Sequence, residues 1–164
     1  MRKLLVLLIV CGLVLLVFSA SASANPKARP FRGYVVGTVT FSVPNPAPAP
    51  APPWLLATSN AVGDVSHMGE TVILGTHVPA MNFSGTMTLT AANGDMITCT
   101  YVGGGSLPPN IGDWYDIWCD ATITGGTGRF TGATGMMDMT VTLRFLPMDT
   151  VWPAIWAWTG TITY

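Results

Sequence analysis

The strongest constraint on the fold is the spacing of the apolar residues, which recur at every second position along most of the chain. Residues 135–145 show it clearly, because Met137, Met139, Val141 and Leu143 alternate with polar or small residues. A β-strand has a period of two, whereas a helix has a period of 3.6. Seven further runs are rich in alternating or β-branched residues: 32–43, 62–68, 70–77, 85–91, 95–103, 115–124 and 155–164. Eight short strands separated by Gly, Pro and Asn predict an all-β sandwich or barrel.

The stretch GGTGRFTGATG, residues 125–135, has the glycine content of a phosphate-binding loop but not its spacing. A dinucleotide fingerprint that began at Gly126 would need a glycine where Thr131 stands, and a P-loop would need a lysine, which is absent here. A strand follows the stretch instead of a helix. We therefore predict a glycine-rich hairpin loop, in which Arg129 and Phe130 are candidate ligand-binding residues, although Phe130 fits better as a plug for a barrel end.

The first 24 residues have the pattern of a secretory signal peptide. Arg2 and Lys3 precede an apolar run at 4–18, and the small residues that follow end in an A-x-A site at Ala24. We expect cleavage near Ala24 and secretion to an extracellular or periplasmic location. The remainder, 25–164, is long enough for a single domain and would keep no stable membrane anchor.

Composition and charge limit the partners of this domain. Charged residues make up only 9% of the chain, and without Arg2 and Lys3 five basic residues remain against eight acidic ones. With no cluster of Lys or Arg, we expect no nucleic-acid partner. The one low-complexity segment, PNPAPAPAPP at 44–53, favours extended polyproline geometry and predicts a stiff loop between the first two strands.

The two cysteines of the predicted domain lie on the apolar faces of neighbouring predicted strands. If the loop GGGSLPPNIG turns about Pro109, Cys99 lies opposite Cys119, and in an exported chain this predicts a cross-strand disulfide. The alternative is two buried free thiols. In the preceding hairpin, a three-residue loop ending at Gly94 keeps the apolar face intact and places Met87 opposite Cys99.

The run ITGGTGRFTGATG resembles the glycine-rich hairpin of the allene oxide cyclase and dirigent superfamily, which carries a related G-G-T-G-x-F segment. GDVSHMGE at 63–70, FSGTMTLTAANGDMITCTYVG at 83–103 and the closing WTGTITY are similar to bacterial secreted members. The resemblance implies a closed eight-stranded antiparallel β-barrel whose interior is packed or holds one small apolar ligand. Members of the superfamily rearrange a fatty-acid epoxide or orient phenoxy radicals, but no motif outside the hairpin matches, so no catalytic residue is carried over.

Few side chains have the pattern of a catalytic or metal site. His67 and Glu70, in SHMGE, are the weak catalytic candidates, and a strand end followed by a turn at Gly69 is the favoured interpretation of them. Trp156 and Trp158 are candidate ligand-binding residues, with core packing as the alternative. The chain has two histidines and no metal-binding spacing, so we expect no metal and no cofactor. Acidic residues alternate with the apolar ones and fit the solvated face of half-buried strands: Asp116, Asp120 and Asp138.

These observations favour a secreted, disulfide-linked barrel that acts as a non-enzymatic binder of a small apolar molecule or as a surface protein. A cyclase, isomerase or dirigent-like enzyme acting on a hydrophobic substrate is the first alternative. The second is a small outer-membrane barrel, in which the apolar face would point to lipid. Short strands and a disulfide on that face would count against it. The sequence assigns neither a specific ligand nor an oligomeric state.

Overall fold

The structure, a computed structural model, describes residues 27–42, 56–78 and 82–164. They form eight strands: β1 (Arg29–Ser42), β2 (Leu56–Val65), β3 (Gly69–His77), β4 (Asn82–Ala91), β5 (Met96–Gly104), β6 (Trp114–Gly126), β7 (Thr134–Arg144) and β8 (Val151–Thr163). The predicted signal peptide at 1–24 and the proline-rich segment at 44–53 lie outside the described residues. No helix in the described ranges is long and apolar enough to cross a membrane.

Every strand pairs antiparallel with the next one along the chain, and β8 pairs with β1. The sheet therefore closes on itself and leaves no unpaired edge, and its interior is covered without a second layer of secondary structure. The predicted all-β class, the strand count and the closed eight-stranded antiparallel barrel are confirmed.

The two faces of each strand separate as the alternation predicts. In β7 the side chains of Met137, Met139 and Val141 are buried in the interior, while Asp138 and Thr140 between them are exposed. The acidic residues predicted to be solvated lie on the outer face. The face with the stronger apolar alternation is thus inside the barrel.

Strand β2 differs most from its prediction, because it begins at Leu56 and ends at Val65. Its inward residues Ala57, Ser59 and Ala61 are small, so they are buried without giving a strong apolar alternation in the sequence. The residues predicted as its end form a turn instead, in which His67 has a φ of 67°. A non-glycine residue in this region is uncommon and is typical of a tight turn.

The turn between β4 and β5 matches its prediction. The amide of Ala91 donates to the carbonyl of Asp95 at 2.9 Å, which leaves a three-residue loop closed by Gly94 with a φ of 86°. Only glycine adopts this left-handed conformation at little cost. As predicted, Met87 lies opposite Cys99.

The predicted disulfide is wrong, because Cys99 and Cys119 are both free and buried. The ladder between β5 and β6 places Cys99 opposite Ile123, four residues from Cys119 along β6. At about 3.3 Å per residue, four positions separate the two cysteines by roughly 13 Å. A disulfide requires Cα atoms within about 7 Å, so these two residues cannot form one.

The register differs from the prediction because the connection is centred on Ile111 and not on Pro109, and the last pair joins Gly104 to Trp118. Cys119 then lies opposite Gly103, and a Cβ on that glycine would come within 2.8 Å of the Cys119 sulfur. The missing side chain thus makes room for the thiol. A shift by an even number of residues also leaves every side chain on its predicted face.

One end of the barrel, called here the closed end, is filled by the glycine-rich hairpin between β6 and β7. A single 3-10 turn, Gly128–Phe130, directs the Phe130 ring inward, where it is fully buried and contacts Tyr164 edge-to-face at 4.9 Å. Phe31 and Ile162 are also fully buried. Arg129 stays at the surface and pairs with Asp95 at 3.3 Å. The interpretation of Phe130 as a plug is therefore confirmed.

Candidate functional site

The opposite end of the barrel, called here the open end, contains a cavity of about 720 Å³. It lies where β1, β3, β5 and β7 end and the other four strands begin, below the loops at 105–113 and 145–150. The walls are mainly aliphatic, methionine and aromatic side chains. The aromatic ones are Phe41, Phe83, Tyr101, Tyr115, Trp152 and Trp156. The size and apolar lining are typical of a site for a small molecule.

The main polar feature of the cavity is a hydrogen bond between His77 and Tyr101. His77 Nδ1 lies 2.9 Å from the Tyr101 hydroxyl. The two residues are on β3 and β5, and both lie opposite Gly85 of the strand between them. A Cβ at Gly85 would come within 2.6 Å of the Tyr101 hydroxyl oxygen. The absence of a side chain at Gly85 therefore lets the imidazole and the phenol meet across β4.

Phe83 holds this pair in place. Its ring centroid lies 5.0 Å from that of His77 and 6.2 Å from that of Tyr101, the second contact being edge-to-face. Such tilted arrangements are the favourable geometry for aromatic rings. His77, Phe83 and Tyr101 thus form a compact cluster on one wall of the cavity.

Burial makes the cluster uncharged near neutral pH. Loss of solvent lowers the pKa of His77 to about 4, because the imidazolium form is penalised in an apolar environment. The same desolvation, with a smaller contribution from Cys119, raises the pKa of the Tyr101 phenol above its ordinary value. His77 and Tyr101 are therefore a neutral hydrogen-bonding pair, with neither a positive nor a negative charge to offer.

The two thiols are also neutral. Burial raises the pKa of Cys99 to about 12, and burial together with the nearby Asp120 raises that of Cys119 to about 12. Since the thiolate is the nucleophilic form, neither thiol is activated. Cys119 lines the cavity and contributes a small polarizable surface to its wall.

Aromatic side chains also frame the mouth of the cavity. The ring of Trp152 packs against Phe41 at 4.6 Å and against Phe145 at 5.5 Å. The indole N–H of Trp152 donates to the carbonyl of Asp149 at 2.9 Å, which fixes the orientation of the ring. The exposed Asp149 is the one carboxylic acid among the described residues that line the cavity.

The structure separates the predicted ligand-binding candidates. Trp156 lines the cavity, whereas Trp158 is buried closer to the closed end, where its ring packs over Gly33. Within the described residues, the Trp158 indole nitrogen is the one buried side-chain polar atom without a hydrogen-bond partner. Arg129 and Phe130 lie at the closed end, away from the cavity.

The weak catalytic candidates His67 and Glu70 are also at the closed end, on the outside of the barrel. His67 is exposed, and its Nε2–H donates to the carbonyl of Pro30 at 2.8 Å. Glu70 lies opposite Asp64 on the exposed face of the β2–β3 hairpin. Neither residue reaches the cavity. Both belong to the turn and the strand end of the β2–β3 hairpin. In the described part of the chain, no three His, Cys, Asp or Glu side chains are placed to hold a metal ion.

Sequence reasoning missed His77 as a cavity residue. The signal was the alternation of β3, in which Ile73, Gly75 and His77 occupy successive inward positions. The glycine and the histidine interrupt the apolar pattern, so the inward face of β3 is harder to recognise. Tyr101 lies two residues after Cys99, on the apolar face that the sequence predicts for β5, but its partner two strands away was not apparent.

The barrel is similar to the solved structure of a pterocarpan synthase dirigent protein. The TM-score is 0.51 at 15% sequence identity, and the match covers 87% of this chain and 88% of that chain. At this identity the similarity shows a dirigent-like barrel fold and nothing finer. No family model and no curated protein sequence matches the chain.

Proposed function

We propose that this protein binds a small apolar molecule in the open-end cavity and acts as a carrier or binding protein without catalysing a reaction. The observation that carries the proposal is the cavity itself, with a volume of about 720 Å³ and mainly apolar walls in an otherwise packed barrel. Burial of ligand surface against such walls is favourable by about 25 cal/mol per Å² before the costs of association.

We also propose that the protein is exported, with cleavage after Ala24. The support is the signal-peptide pattern of residues 1–24. Export would place the cavity outside the cytoplasm, where a sparingly soluble molecule needs a carrier. Native mass spectrometry of the exported protein, purified without detergent, tests cleavage and ligand retention together. The expected species begins at Asn25, keeps both thiols reduced and carries an apolar adduct.

Binding can be tested directly with the neutral fluorophore N-phenyl-1-naphthylamine, whose emission rises in apolar surroundings. The informative variant is Gly75→Leu, because Gly75 lines the cavity and a Cβ there would meet its neighbours at an ordinary 3.5 Å. The added side chain should occupy the cavity and weaken probe binding at least tenfold. The matched control is Thr76→Leu, which adds a leucine at the next position of β3 on the outer face. Equal binding by both variants would contradict the proposal.

An enzyme is the second candidate, and the His77–Tyr101 pair is the observation that favours it. The dirigent protein of similar fold is named as a pterocarpan synthase, which is the name of an enzyme. A phenol hydrogen-bonded to a neutral imidazole in an apolar wall can act on a ligand as an acid or base. Among the described residues that line the cavity, the other ionisable groups are Asp149 at the mouth, Tyr115, whose pKa is raised by burial, and the Cys119 thiol, which is not activated.

The two candidates differ in what happens to a bound molecule. The ligand extracted from the exported protein would be incubated with fresh protein and followed by liquid chromatography and mass spectrometry. A binder returns it unchanged. An enzyme yields a product of different mass or retention time, and Tyr101→Phe slows its formation about 10²-fold or more.

A further inference from the structure

The charge of the cavity lining restricts which apolar molecules can enter. Among the described residues that line the cavity, none is Lys or Arg. Basic residues of the described chain lie outside it: Lys27, Arg29 and Arg32 near the start of β1, Arg129 in the closed-end turn, and Arg144, which donates to the carbonyl of Gly112 at 3.2 Å. A buried carboxylate, sulfonate or phosphate would therefore have no positive partner among the described residues of the lining.

An ionised ligand is expensive to bury without such a partner, because an isolated charge loses its hydration and gains nothing in return. The mouth adds to this cost, since the exposed Asp149 repels an approaching anion. His77 does not offset it, because the imidazole is neutral at physiological pH. The alkyl chain of an ionised fatty acid thus fits the apolar walls, but its carboxylate would be buried without a compensating charge.

The His77–Tyr101 pair nevertheless offers one hydrogen bond. A neutral imidazole carries one N–H and a phenol carries one O–H, and their mutual hydrogen bond uses one of these two hydrogens. In either tautomer one hydrogen remains to be donated to a ligand. An uncharged oxygen, as in an alcohol, ketone or ester, is a suitable acceptor.

The pair is also held in position before a ligand arrives. Gly85 leaves the space in which the two side chains meet, and Phe83 packs against both of them. Groups that are fixed in advance lose little freedom on binding, so the ordering cost is small. The donor therefore occupies a defined place on an otherwise apolar wall.

We infer that the open-end cavity selects uncharged ligands that carry one hydrogen-bonding oxygen, placed against the His77–Tyr101 pair, and that it rejects anionic molecules of the same size. The inference rests on the proposed binding function. It excludes ionised fatty acids as ligands and points to neutral lipids with a single oxygen function.

The test compares two molecules that differ only in their polar end. Decan-1-ol and sodium decanoate would each displace N-phenyl-1-naphthylamine from the protein at about pH 7.5, where decanoate is ionised. We expect decan-1-ol to displace the probe at a concentration at least tenfold lower. Equal displacement by the two, or stronger displacement by decanoate, overturns the inference and leaves the binding function intact. Failure of the wild-type protein to bind the probe removes the binding function itself, and the inference with it.

Two variants test the hydrogen bond separately from the charge. Tyr101→Phe removes the hydroxyl and keeps the ring, and His77→Phe removes the imidazole N–H. In the variant that loses the donating hydrogen, the affinity for decan-1-ol should fall about three- to tenfold while that for the probe changes less than twofold. The matched control Tyr34→Phe removes a hydroxyl from the exposed outer face of β1 and should change neither value. Unchanged decan-1-ol affinity in both Tyr101→Phe and His77→Phe overturns the assignment of the pair as the anchor.

Discussion

The two ends of the barrel are built from the same strands but are packed differently. At the closed end Phe31, Phe130 and Ile162 have no exposed surface. At the open end Phe41 and Phe83 are only half-buried, and they face a cavity of about 720 Å³. Alternation along a strand decides which side chains point inward, but the connecting loops and the bulk of the inward residues decide whether that interior is filled.

The two ends of the barrel also differ in the side chains exposed at their rims. Two arginines at the closed end have side-chain partners, since Arg29 donates to the Tyr164 hydroxyl at 3.0 Å and Arg129 pairs with Asp95. At the open end Leu107, with 65% of its surface exposed, and Met148, with 90%, stand beside the mouth. Among the described residues, the closed end is therefore filled, whereas at the open end exposed apolar side chains stand at the rim beside Asp149. This asymmetry suits a protein that admits an apolar molecule from one side.

The largest expected difference between the ends concerns their phenylalanines. Phe130→Ala removes the buried plug and should lower the free energy of unfolding by about 3–5 kcal/mol, because a core cavity replaces a ring with many contacts. Phe83→Ala at the open end should cost about 1–2 kcal/mol, since the lost ring already borders empty space. Urea unfolding followed by tryptophan fluorescence gives both values. Equal losses would mean that the two ends are packed alike.

The histidines provide a second comparison, through pH. His77 has a pKa of about 4 in the folded protein and about 6.5 when unfolded, so the unfolded state binds the proton more readily. The stability that depends on neutral His77 is present above pH 6.5 and is lost as the pH falls toward 4. At about 1.4 kcal/mol per pKa unit the full loss is about 3 kcal/mol.

The variant His77→Phe removes this titration and should flatten the decline in stability between pH 6.5 and 4. The remaining titratable groups are common to both proteins, so the difference between the two curves isolates His77. His67→Asn is the matched control at the closed end, because asparagine tolerates the positive φ of this turn. A wild-type curve that runs parallel to that of His77→Phe would show that the imidazole is not buried.

A third comparison tests how much room each end has for a larger side chain, with two valines that are each 3% exposed. Val65 points into the packed closed end, whereas Val141 lines the cavity. Val65→Phe should cost about 1–3 kcal/mol through overpacking, and Val141→Phe should cost less than about 1 kcal/mol because the ring enters the cavity. Thermal unfolding of both variants measures the difference. A larger loss in Val141→Phe would indicate that the cavity is not available to a side chain.

The sequence predicts the barrel well because alternation depends on short-range patterns. The strand count, the inward faces of β5, β6 and β7 and the three-residue turn at Gly94 all follow from local spacing. The disulfide prediction was wrong for a reason that alternation cannot detect. Moving Cys99 from opposite Cys119 to opposite Ile123 is a shift of four residues, which preserves every face.

The cavity could not be predicted from local patterns either, because its volume depends on side chains from all eight strands at once. The His77–Tyr101 pair illustrates this, since it forms across Gly85 between residues that are separated by 24 positions. The glycine pattern of the hairpin, in contrast, concerns one connection, and its role around Phe130 was recognised in advance. Contacts within one hairpin can thus be predicted from the sequence, whereas the cavity at the open end depends on how all eight strands pair.

The smallest expected effect separates packing from charge within the closed end. Arg129 is adjacent to the plug, with its side chain 47% exposed, and its guanidinium lies 3.3 Å from Asp95 and 4.9 Å from the centre of the Phe130 ring. Exposed ion pairs and cation–π contacts contribute little because water and salt screen them. Arg129→Met keeps most of the aliphatic stem of the arginine and should lower the free energy of unfolding by less than about 1 kcal/mol. The expected loss for Phe130→Ala is about 3–5 kcal/mol. Urea unfolding at low and at 1 M salt measures both. If Arg129→Met were as damaging as Phe130→Ala, the closed end would be held by its surface charges, and the contrast in packing between the two ends would lose its basis.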